Sequence, residues 1–250
     1  MTGFTALVLA GSRGGPDPVA VYAKVAHKAL IVLGGQTLLA RVISALQAAG
    51  ATRIAVSTSD PAVGALVPAA PVGVVLEASA GPSLSVAQAA RQLGTPLLVT
   101  TADHALLDGA WVSRFLADIP PDADIAALLA PEAVVRAAAP QTQRSYLSFR
   151  DGRYSGCNLF YLRNERALAA IDLWRQVEAH RKRPWRIAAL LGPGMLIGYL
   201  LGRLTLDQAV ARIGRKAGVT AAAVRTPYGL CAVDVDKPSD LDLVRSLVEG

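Results

Sequence analysis

The segment from Thr5 to Gly15, TALVLAGSRGG, places a short apolar run directly before a glycine-rich turn. The run is typical of a buried strand, and glycines at 11, 14 and 15 allow backbone angles and close approaches that side chains would block. A second apolar run and an amphipathic segment follow Lys28, in HKALIVLGGQTLLARVISAL. Strand, glycine turn and helix in this order favour an α/β fold with the turn at one edge of a sheet.

The first half of the chain alternates apolar runs with helical periodicity. We predict strands at 5–10, 53–57, 73–77, 96–100 and 124–129. We predict helices at 37–49, 83–93 and 109–117. Because the strands are apolar on both faces, they indicate a mostly parallel central sheet covered by helices on both sides, which is a three-layer α/β/α arrangement.

The pattern changes after residue 130. An Ala/Pro-rich stretch leads to YLSFRDGRYSG, where Asp151-Gly152 predicts a hairpin turn, and Asn158 to Leu162 predicts a strand. Further helices are predicted at 165–181, 205–217 and 239–248, with a last strand pair around 219–224 and 230–235. At 250 residues we expect one domain, 1–250, made of a first half (1–130), a middle region with an apolar helical insertion (131–218), and closing strands and helix (219–250).

The apolar segment 187–202 follows the basic run His180 to Arg183 and contains Gly192-Pro193-Gly194. Its simplest interpretation is a pair of buried helices. A second interpretation is that it docks on a membrane surface or an apolar substrate. A spanning helix needs about 20 apolar residues, so a transmembrane segment is the third and weakest interpretation.

The charge of the chain indicates which class of partner it binds, and its cysteines indicate the compartment. The formal net charge of +6 favours an anionic partner, and 5% aromatic content without an RNA-binding motif favours phosphates over nucleic acid. Cys157 and Cys231 lack zinc-ligand spacing, so they indicate free thiols in a reducing compartment. The first apolar run has no basic residues before it, so we expect a cytoplasmic protein rather than a secreted one.

The glycine turn can direct successive backbone N–H groups at phosphate oxygens. It matches neither GxGxxG nor the P-loop pattern, and a plain strand-to-helix turn is the alternative. Arg13 and Lys28 are cations that would reach phosphates held by this turn, although a lone lysine is more often a solvated surface charge. Together these features favour a triphosphate cradle.

Carboxylates follow two later apolar runs. Asp103 ends the run in LLVTTADHALL, where a carboxylate would lie at the carboxyl edge of the sheet and could hold Mg²⁺. The alternative is a helix N-cap, a role that suits Asp108 better. Asp234 and Asp236, two apart on a predicted strand, would face the same side and suggest a bound cation.

Four motifs in register resemble one family. They are found in the nucleotidyltransferases with a GT-A-type fold, which this chain therefore resembles. In chain order the motifs are LVLAGSRGG with HKALIVLGGQTLL, AGPSLSVAQAA, LLVTTADHALL and DVDKPSDL. This superfamily includes the molybdenum-cofactor guanylyl- and cytidylyltransferase-like group and sugar-phosphate nucleotidyltransferases. The resemblance covers residues 5–130 and the last strand and helix.

The resemblance implies roles for individual residues. The nucleotide loop would be Leu9, Ala10, Gly11, Ser12, Arg13 and Gly14, with Lys28 as its partner. The base and ribose would meet Gly81, Pro82, Ser83 and Ser85. Asp103 would be the first Mg²⁺ ligand and Asp236 the second, with Asp234 as the alternative, and Arg13, Lys28 and Asp103 would be catalytic. The chain departs from the family where His27 precedes Lys28, since a proline is common there.

The middle region would hold the acceptor. Arg144 and Asn158 are the acceptor residues that the resemblance favours, with Asn158 in the family's substrate loop. Further candidates are Tyr146, Arg150, Tyr154, Lys182, Arg183, Trp185 and Arg186.

These features predict an Mg²⁺-dependent transfer of a nucleoside monophosphate from an NTP to a phosphorylated small-molecule or lipid-like acceptor, with release of pyrophosphate. A GT-A-type glycosyltransferase and a membrane-associated nucleotide-binding protein without catalysis are the alternatives. Peripheral membrane contact through 187–202 is compatible with the enzyme and with the protein without catalysis. The base, the acceptor and the oligomeric state stay open.

Overall fold

The structure is a computed structural model that describes residues 3–12, 14–69, 72–180, 186, 189–190 and 192–250. Arg13 and the acceptor candidates Lys182, Arg183 and Trp185 lie outside the described residues.

The strands are β1 (Phe4–Leu9), β2 (Val32–Leu33), β3 (Gln36–Thr37), β4 (Ala51–Ser57), β5 (Gly73–Leu76), β6 (Leu97–Thr101), β7 (Ile125–Pro131), β8 (Leu147–Phe149), β9 (Gly152–Leu162) and β10 (Ala221–Arg225). The helices are α1 (Pro18–Tyr22), α2 (Leu38–Ala48), α3 (Pro61–Gly64), α4 (Pro82–Leu93), α5 (Gly109–Asp118), α6 (Glu132–Ala138), α7 (Ala167–Ala179), α8 (Pro193–Leu200), α9 (Leu206–Ala217) and α10 (Pro238–Glu249). Short 3-10 helices span Lys28–Leu30 and Gly229–Ala232.

The central sheet has the strand order β10-β7-β9-β6-β1-β4-β5, with β8 paired to β9. β1 pairs in parallel with β4 and β6, and β4 with β5 and β7 with β10 are also parallel. β9 runs antiparallel to β6 and β7. The fold is therefore the predicted α/β arrangement with a mostly parallel sheet, and the Asp151-Gly152 hairpin is confirmed between β8 and β9.

Both faces of the sheet are buried, as the continuous apolar runs predict. Ala6 and Val8 of β1 pack on one face with residues of α2 and α5. Leu7 lies on the other face with residues of α4 and α7. Alternate side chains of a strand point to opposite faces, so only an apolar strand can serve both layers of helices.

The predicted strand at 230–235 is wrong. The chain forms a 3-10 helix at Gly229–Ala232 and then continues without regular pairing. The expected partner strand, β10, is the last strand of the sheet and pairs only with β7, whereas Cys231 and Ala232 are buried in the core. Gly229 instead lies against α6, where an added Cβ would be 2.2 Å from the carbonyl oxygen of Val134.

The apolar segment 187–202 is described in part, because residues 187, 188 and 191 lie outside the described residues. The remainder contains α8, which begins at Pro193. The expected burial does not hold for α8, since Leu196, Ile197 and Leu200 are exposed. Within the described part of the chain, no helix has the length and apolar content needed to cross a membrane.

A buried carboxylate fixes the far end of the β7–β9–β10 unit. Asp124 Oδ1 accepts from the amide of Asn164 at 2.8 Å, and Oδ2 accepts from the backbone N–H of Thr220 at 2.9 Å. These bonds hold the starts of β7 and β10 to the turn after β9. The hydrogen bonds from Asn164 and Thr220 lower the pKa of Asp124.

We predict that Asp124→Ala lowers the free energy of unfolding by about 1–3 kcal/mol, because both donors lose their acceptor. Urea unfolding at neutral pH measures this, with the exposed Asp122→Ala as control. A carboxyl with a lowered pKa stabilises the fold above its ordinary pKa and loses that effect as the pH falls through the folded value. The difference between wild type and Asp124→Ala should therefore shrink in acid, and a difference independent of pH would contradict this account.

Candidate active site

The glycine turn leaves the sheet between two neighbouring strands. The carbonyl of Leu9 accepts from Ala102 N at 3.0 Å, and Ala10 N donates to Ser57 O at 2.9 Å. The turn is therefore anchored to the carboxyl ends of β4 and β6. Beyond Ala10 the described turn residues are exposed, and Gly15 has a φ of 109°, which favours glycine.

Lys28 reaches this edge from the 3-10 helix Lys28–Leu30. His27 precedes it and accepts from Ala29 N through Nδ1 at 3.1 Å, so the histidine caps the turn that positions the lysine. Burial lowers the pKa of His27. Only a neutral ring can accept a hydrogen bond at Nδ1, so the lowered pKa agrees with a structural role for His27 as the cap of this turn.

The ammonium of Lys28 lies between two carboxylates. It forms an ion pair with Asp103 Oδ2, and its Nζ is 3.7 Å from Asp236 Oδ1. It also donates to the carbonyl of Val235 at 3.5 Å. Burial opposes the lysine's charge, but the carboxylates outweigh it and raise its pKa. Lys28 is thus not the solvated surface charge that a lone lysine often is.

Asp103 directly follows β6 and is buried. Burial raises its pKa, and the neighbouring Lys28 outweighs that effect, so the pKa is lowered. Its backbone carbonyl accepts from Val235 N at 3.1 Å, which joins β6 to the segment that carries Asp234 and Asp236. Tertiary contact, rather than strand pairing, therefore brings the second acidic segment to the site.

Asp234 and Asp236 have different surroundings. Asp234 is buried and accepts from Arg144 and from the amide of Asn158. Burial raises its pKa against the opposing effect of Arg144. Asp236 has a side chain that is 58% exposed, and burial, Asp234 and Asp103 raise its pKa in that order. Asp236 is consequently the carboxylate with room for a ligand.

A bulge in β9 positions Asn158. Between the pairs Ala127–Phe160 and Leu129–Gly156 the register of β7 and β9 shifts, so β9 holds extra residues there. Asn158 lies in this bulge with a φ of 48°, a backbone conformation that asparagine tolerates better than most residues. The bulge turns a sheet residue toward Asp234, as bulges near functional sites often do.

Unsatisfied polar atoms concentrate at this site. Buried polar groups are nearly always hydrogen-bonded in folded proteins. Within the described residues, the buried side-chain atoms without a partner are Thr101 Oγ1, Asp103 Oδ1, His104 Nε2, Thr142 Oγ1 and Arg144 Nε. All belong to the two short segments that carry Asp103 and Arg144, so the side chains of these segments are less completely hydrogen-bonded than those of the rest of the described core.

His104 lies directly after Asp103, at the end of β6. Its ring is buried, and burial lowers its pKa to about 4. Its Nδ1 lies 3.5 Å from Thr100 Oγ1. The ring is therefore neutral at pH 7 and packs beneath Asp103.

The donor set suits a hard divalent cation. Among the described residues, no three His, Cys, Asp or Glu side chains are arranged to hold a metal ion by themselves. Mg²⁺ needs only one or two carboxylates, since waters and phosphates complete its shell. Asp103, whose Oδ1 lacks a partner, and the exposed Asp236 fit this requirement, whereas both oxygens of Asp234 accept from the protein.

The segment expected to meet the base lies at the start of α4. Ser83 donates to Glu178 Oε2 at 2.6 Å, and Ser85 Oγ accepts from Ser79 N at 3.0 Å. Both serine side chains are buried and hold this segment in place, while Gly81 precedes Pro82 without a side-chain cap. Sequence reasoning missed Glu178, because a helix end 95 residues away carries no local signal.

The acceptor candidates separate into two groups. Arg144 and Asn158 lie at the site through Asp234. Tyr154 instead packs with Leu129 and Leu206, and Tyr146 lies beneath Arg136 and Arg153 at 5.9 and 5.3 Å from the ring centre. Arg150 and Arg186 are exposed.

Residues 6–186 match the family model of the MobA-like NTP transferase domain. The chain belongs to this family, which confirms the resemblance of its motifs to nucleotidyltransferases. It is thus an enzyme of the nucleotidyltransferase type. None of the curated proteins matches the chain.

Solved structures agree with this assignment. A hypothetical transferase from Thermus thermophilus shares 35% identity, with 96% of this chain and 99% of that chain covered and a TM-score of 0.81. CMP:2-keto-3-deoxy-manno-octonic acid synthetase complexed with CTP shares 16% identity over 99% of both chains, with a TM-score of 0.60. The 4-diphosphocytidyl-2C-methyl-D-erythritol synthase of Anaerococcus prevotii shares 8%, covering 99% of this chain and 96% of that chain, with a TM-score of 0.59. The last two share the fold.

We predict that Asp234→Ala lowers the free energy of unfolding by about 3–5 kcal/mol, because Arg144 keeps a buried charge without its partner. The double variant Asp234→Ala/Arg144→Met should regain part of the loss. Asp242→Ala, at an exposed ion pair with Arg245, serves as the matched control and should change little. Equal losses in the single and double variants, measured by denaturant unfolding, would show that the pair is not coupled.

Proposed function

We propose that this nucleotidyltransferase uses Mg²⁺ to transfer a nucleoside monophosphate from an NTP to a phosphorylated acceptor, with release of pyrophosphate. The observation that carries the proposal is the position of Lys28 between Asp103 and Asp236, at the strand edge where the glycine turn begins. Cations and hard oxygen ligands beside an exposed glycine turn suit a triphosphate. We assign the reaction to the cytoplasm, in keeping with the free, buried Cys157 and Cys231.

The chemistry requires alignment more than proton transfer. An oxygen of the acceptor phosphate attacks the α-phosphorus of the NTP while the bond from that phosphorus to the bridging oxygen of pyrophosphate breaks. The acceptor phosphate is ionised at neutral pH, so no general base is needed. Lys28 and Arg13 would stabilise the charge that gathers on the phosphoryl group and on the leaving pyrophosphate.

The charges of the site favour a cation together with the nucleotide. Lys28 and Arg144 face the carboxylates of Asp103, Asp234 and Asp236, so these described residues leave one negative charge uncompensated. A triphosphate alone would be repelled by that excess. Mg²⁺ held by Asp103 and Asp236 would neutralise phosphate charge and align the triphosphate.

Asn158 and Arg144 would orient the acceptor. Both bind Asp234, which keeps them at the edge of the site rather than in solvent. The guanidinium of Arg144 is half-buried and carries a positive charge, which suits an anionic acceptor. We expect a small phosphorylated molecule or a lipid-like phosphate to be the acceptor.

Pyrophosphate release tests the reaction directly. The purified protein is incubated with Mg²⁺, each NTP in turn, and a panel of phosphorylated sugars, alcohols and isoprenoids. Turnover with one nucleotide and one acceptor class is the expected outcome. No turnover with any pair, combined with no binding of Mg-NTP, would overturn the proposal.

We predict that Asp103→Asn lowers kcat at least about a hundredfold, since a neutral amide would bind Mg²⁺ and the Lys28 ammonium more weakly than a carboxylate does. The matched control is Asp108→Asn, in the same loop, whose carboxylate accepts from Ala110 N at 2.7 Å as the N-cap of α5. The control should lose a little stability and keep its kcat. Equal activity in Asp103→Asn and wild type would remove Asp103 from the reaction.

We predict that Lys28→Met tightens the binding of Mn²⁺ to the nucleotide-free protein at least about fivefold, because Lys28 and a metal ion compete for the same carboxylates. The same variant should bind the NTP more weakly. Titration followed by the electron paramagnetic resonance of free Mn²⁺ measures the first effect without any turnover. Lys216→Met, on the exposed face of α9, is the control, and an unchanged Mn²⁺ affinity in Lys28→Met would contradict the competition.

A further inference from the structure

An apolar surface lies outside the site, on α8. Leu196, Ile197, Leu200 and Leu201 are between 39% and 71% exposed. Their spacing places them along one side of the helix. Single exposed apolar side chains are common on protein surfaces, but four neighbouring ones form an apolar patch of the kind that binds a partner.

The opposite side of α8 is fixed to the protein. The ring of Tyr199 packs edge-on against Phe149 of β8 at 5.5 Å between centroids, and its hydroxyl accepts from Ser148 N at 3.4 Å. Gly198 lies so near Leu204 that an added Cβ would be 3.1 Å from its side chain. The β8 strand also carries Leu147, which is 51% exposed. We call Leu196, Ile197, Leu200 and Leu201 the α8 patch.

Along the sequence, the charged residues on both sides of α8 are basic. Between Glu178 and Asp207 the sequence contains no acidic residue, and it contains five lysines or arginines. Arg186 and Arg203 among them are exposed in the structure. The other basic residues are Arg181, Lys182 and Arg183, which lie outside the described residues.

We propose that the α8 patch docks the protein on the surface of a membrane that contains anionic phospholipids. Apolar side chains would enter the boundary between headgroups and acyl chains, and the flanking cations would meet the lipid phosphates. The eight residues of α8 are too short to span a bilayer, so the helix lies in the plane of the surface.

Charge decides between a bilayer and a second copy of the chain. In a symmetric dimer the same surface meets itself, so the cations of both copies would face one another around an apolar contact. The whole chain carries a formal net charge of +6, which adds to that repulsion. An anionic bilayer has the complementary charge and the apolar interior that the patch requires.

The β8–β9 hairpin connects this surface to the site. Its first strand holds α8, and its second strand carries Asn158. The docking surface and the residue proposed to orient the acceptor therefore belong to one structural unit. The docking itself does not depend on the proposed reaction.

Flotation with vesicles tests the proposal. We expect wild type to float with equimolar phosphatidylcholine and phosphatidylglycerol and to bind pure phosphatidylcholine much more weakly. Ile197→Asp/Leu200→Asp should reduce binding at least about tenfold. The control Val75→Asp/Leu247→Asp, at side chains that are 50% and 45% exposed elsewhere, should bind like wild type. Arg186→Gln/Arg203→Gln should weaken binding most at low ionic strength.

Several results would overturn the proposal. Wild type that fails to bind anionic vesicles contradicts it, as does equal binding by Ile197→Asp/Leu200→Asp and wild type. Binding that disappears completely at high salt in wild type would show attraction by charge alone, without apolar contact. A dimer measured by light scattering that is lost in Ile197→Asp/Leu200→Asp, without vesicle binding, would assign the α8 patch to a second copy. Circular dichroism and the thermal unfolding midpoint, measured without vesicles, check that each variant is folded.

Discussion

The parallel pairing of β1 with β4 and β6 is the constraint on which the site depends. Leu9, at the end of β1, lies beside Ser57 and Thr101 in the register of the sheet. Parallel strands end at the same edge, so the glycine turn and Asp103 emerge as neighbours although they lie far apart in the sequence. Apolar residues on both faces of β1 make this central position possible, because each face is covered by helices.

Electrostatic balance shapes what that edge can bind. Lys28 is held by two carboxylates and Arg144 by a third, so neither cation is free in the described structure. The unpaired polar atoms all lie in the segments around them. Burying charged groups is costly unless they are paired, so these ion pairs keep the charges of the site in place within the fold.

Some of the site follows from the order of residues along the chain. Asp103 follows one apolar run and the glycine turn follows another. The two lie close together because the carboxyl ends of parallel strands share one edge of the sheet. The roles of Arg144 and Asn158 came from resemblance, and their contact through Asp234 had no local signal. Asn158 depends on a bulge in β9, and Asp234 is placed by a segment that was wrongly expected to be a strand. Long-range packing decided both, since Gly229 packs against α6 and Val235 binds the backbone of Asp103.

The sequence by itself determined the α/β class, the mostly parallel sheet, and the family to which the motifs point. It could do so because apolar periodicity and glycine turns act over a few residues, where local physics selects strands and helices. Only the tertiary structure decided that Lys28 lies between Asp103 and Asp236, that Glu178 holds Ser83, and that α8 exposes its leucines. These outcomes depend on which distant segments come into contact, and the pattern of any one segment does not contain that information.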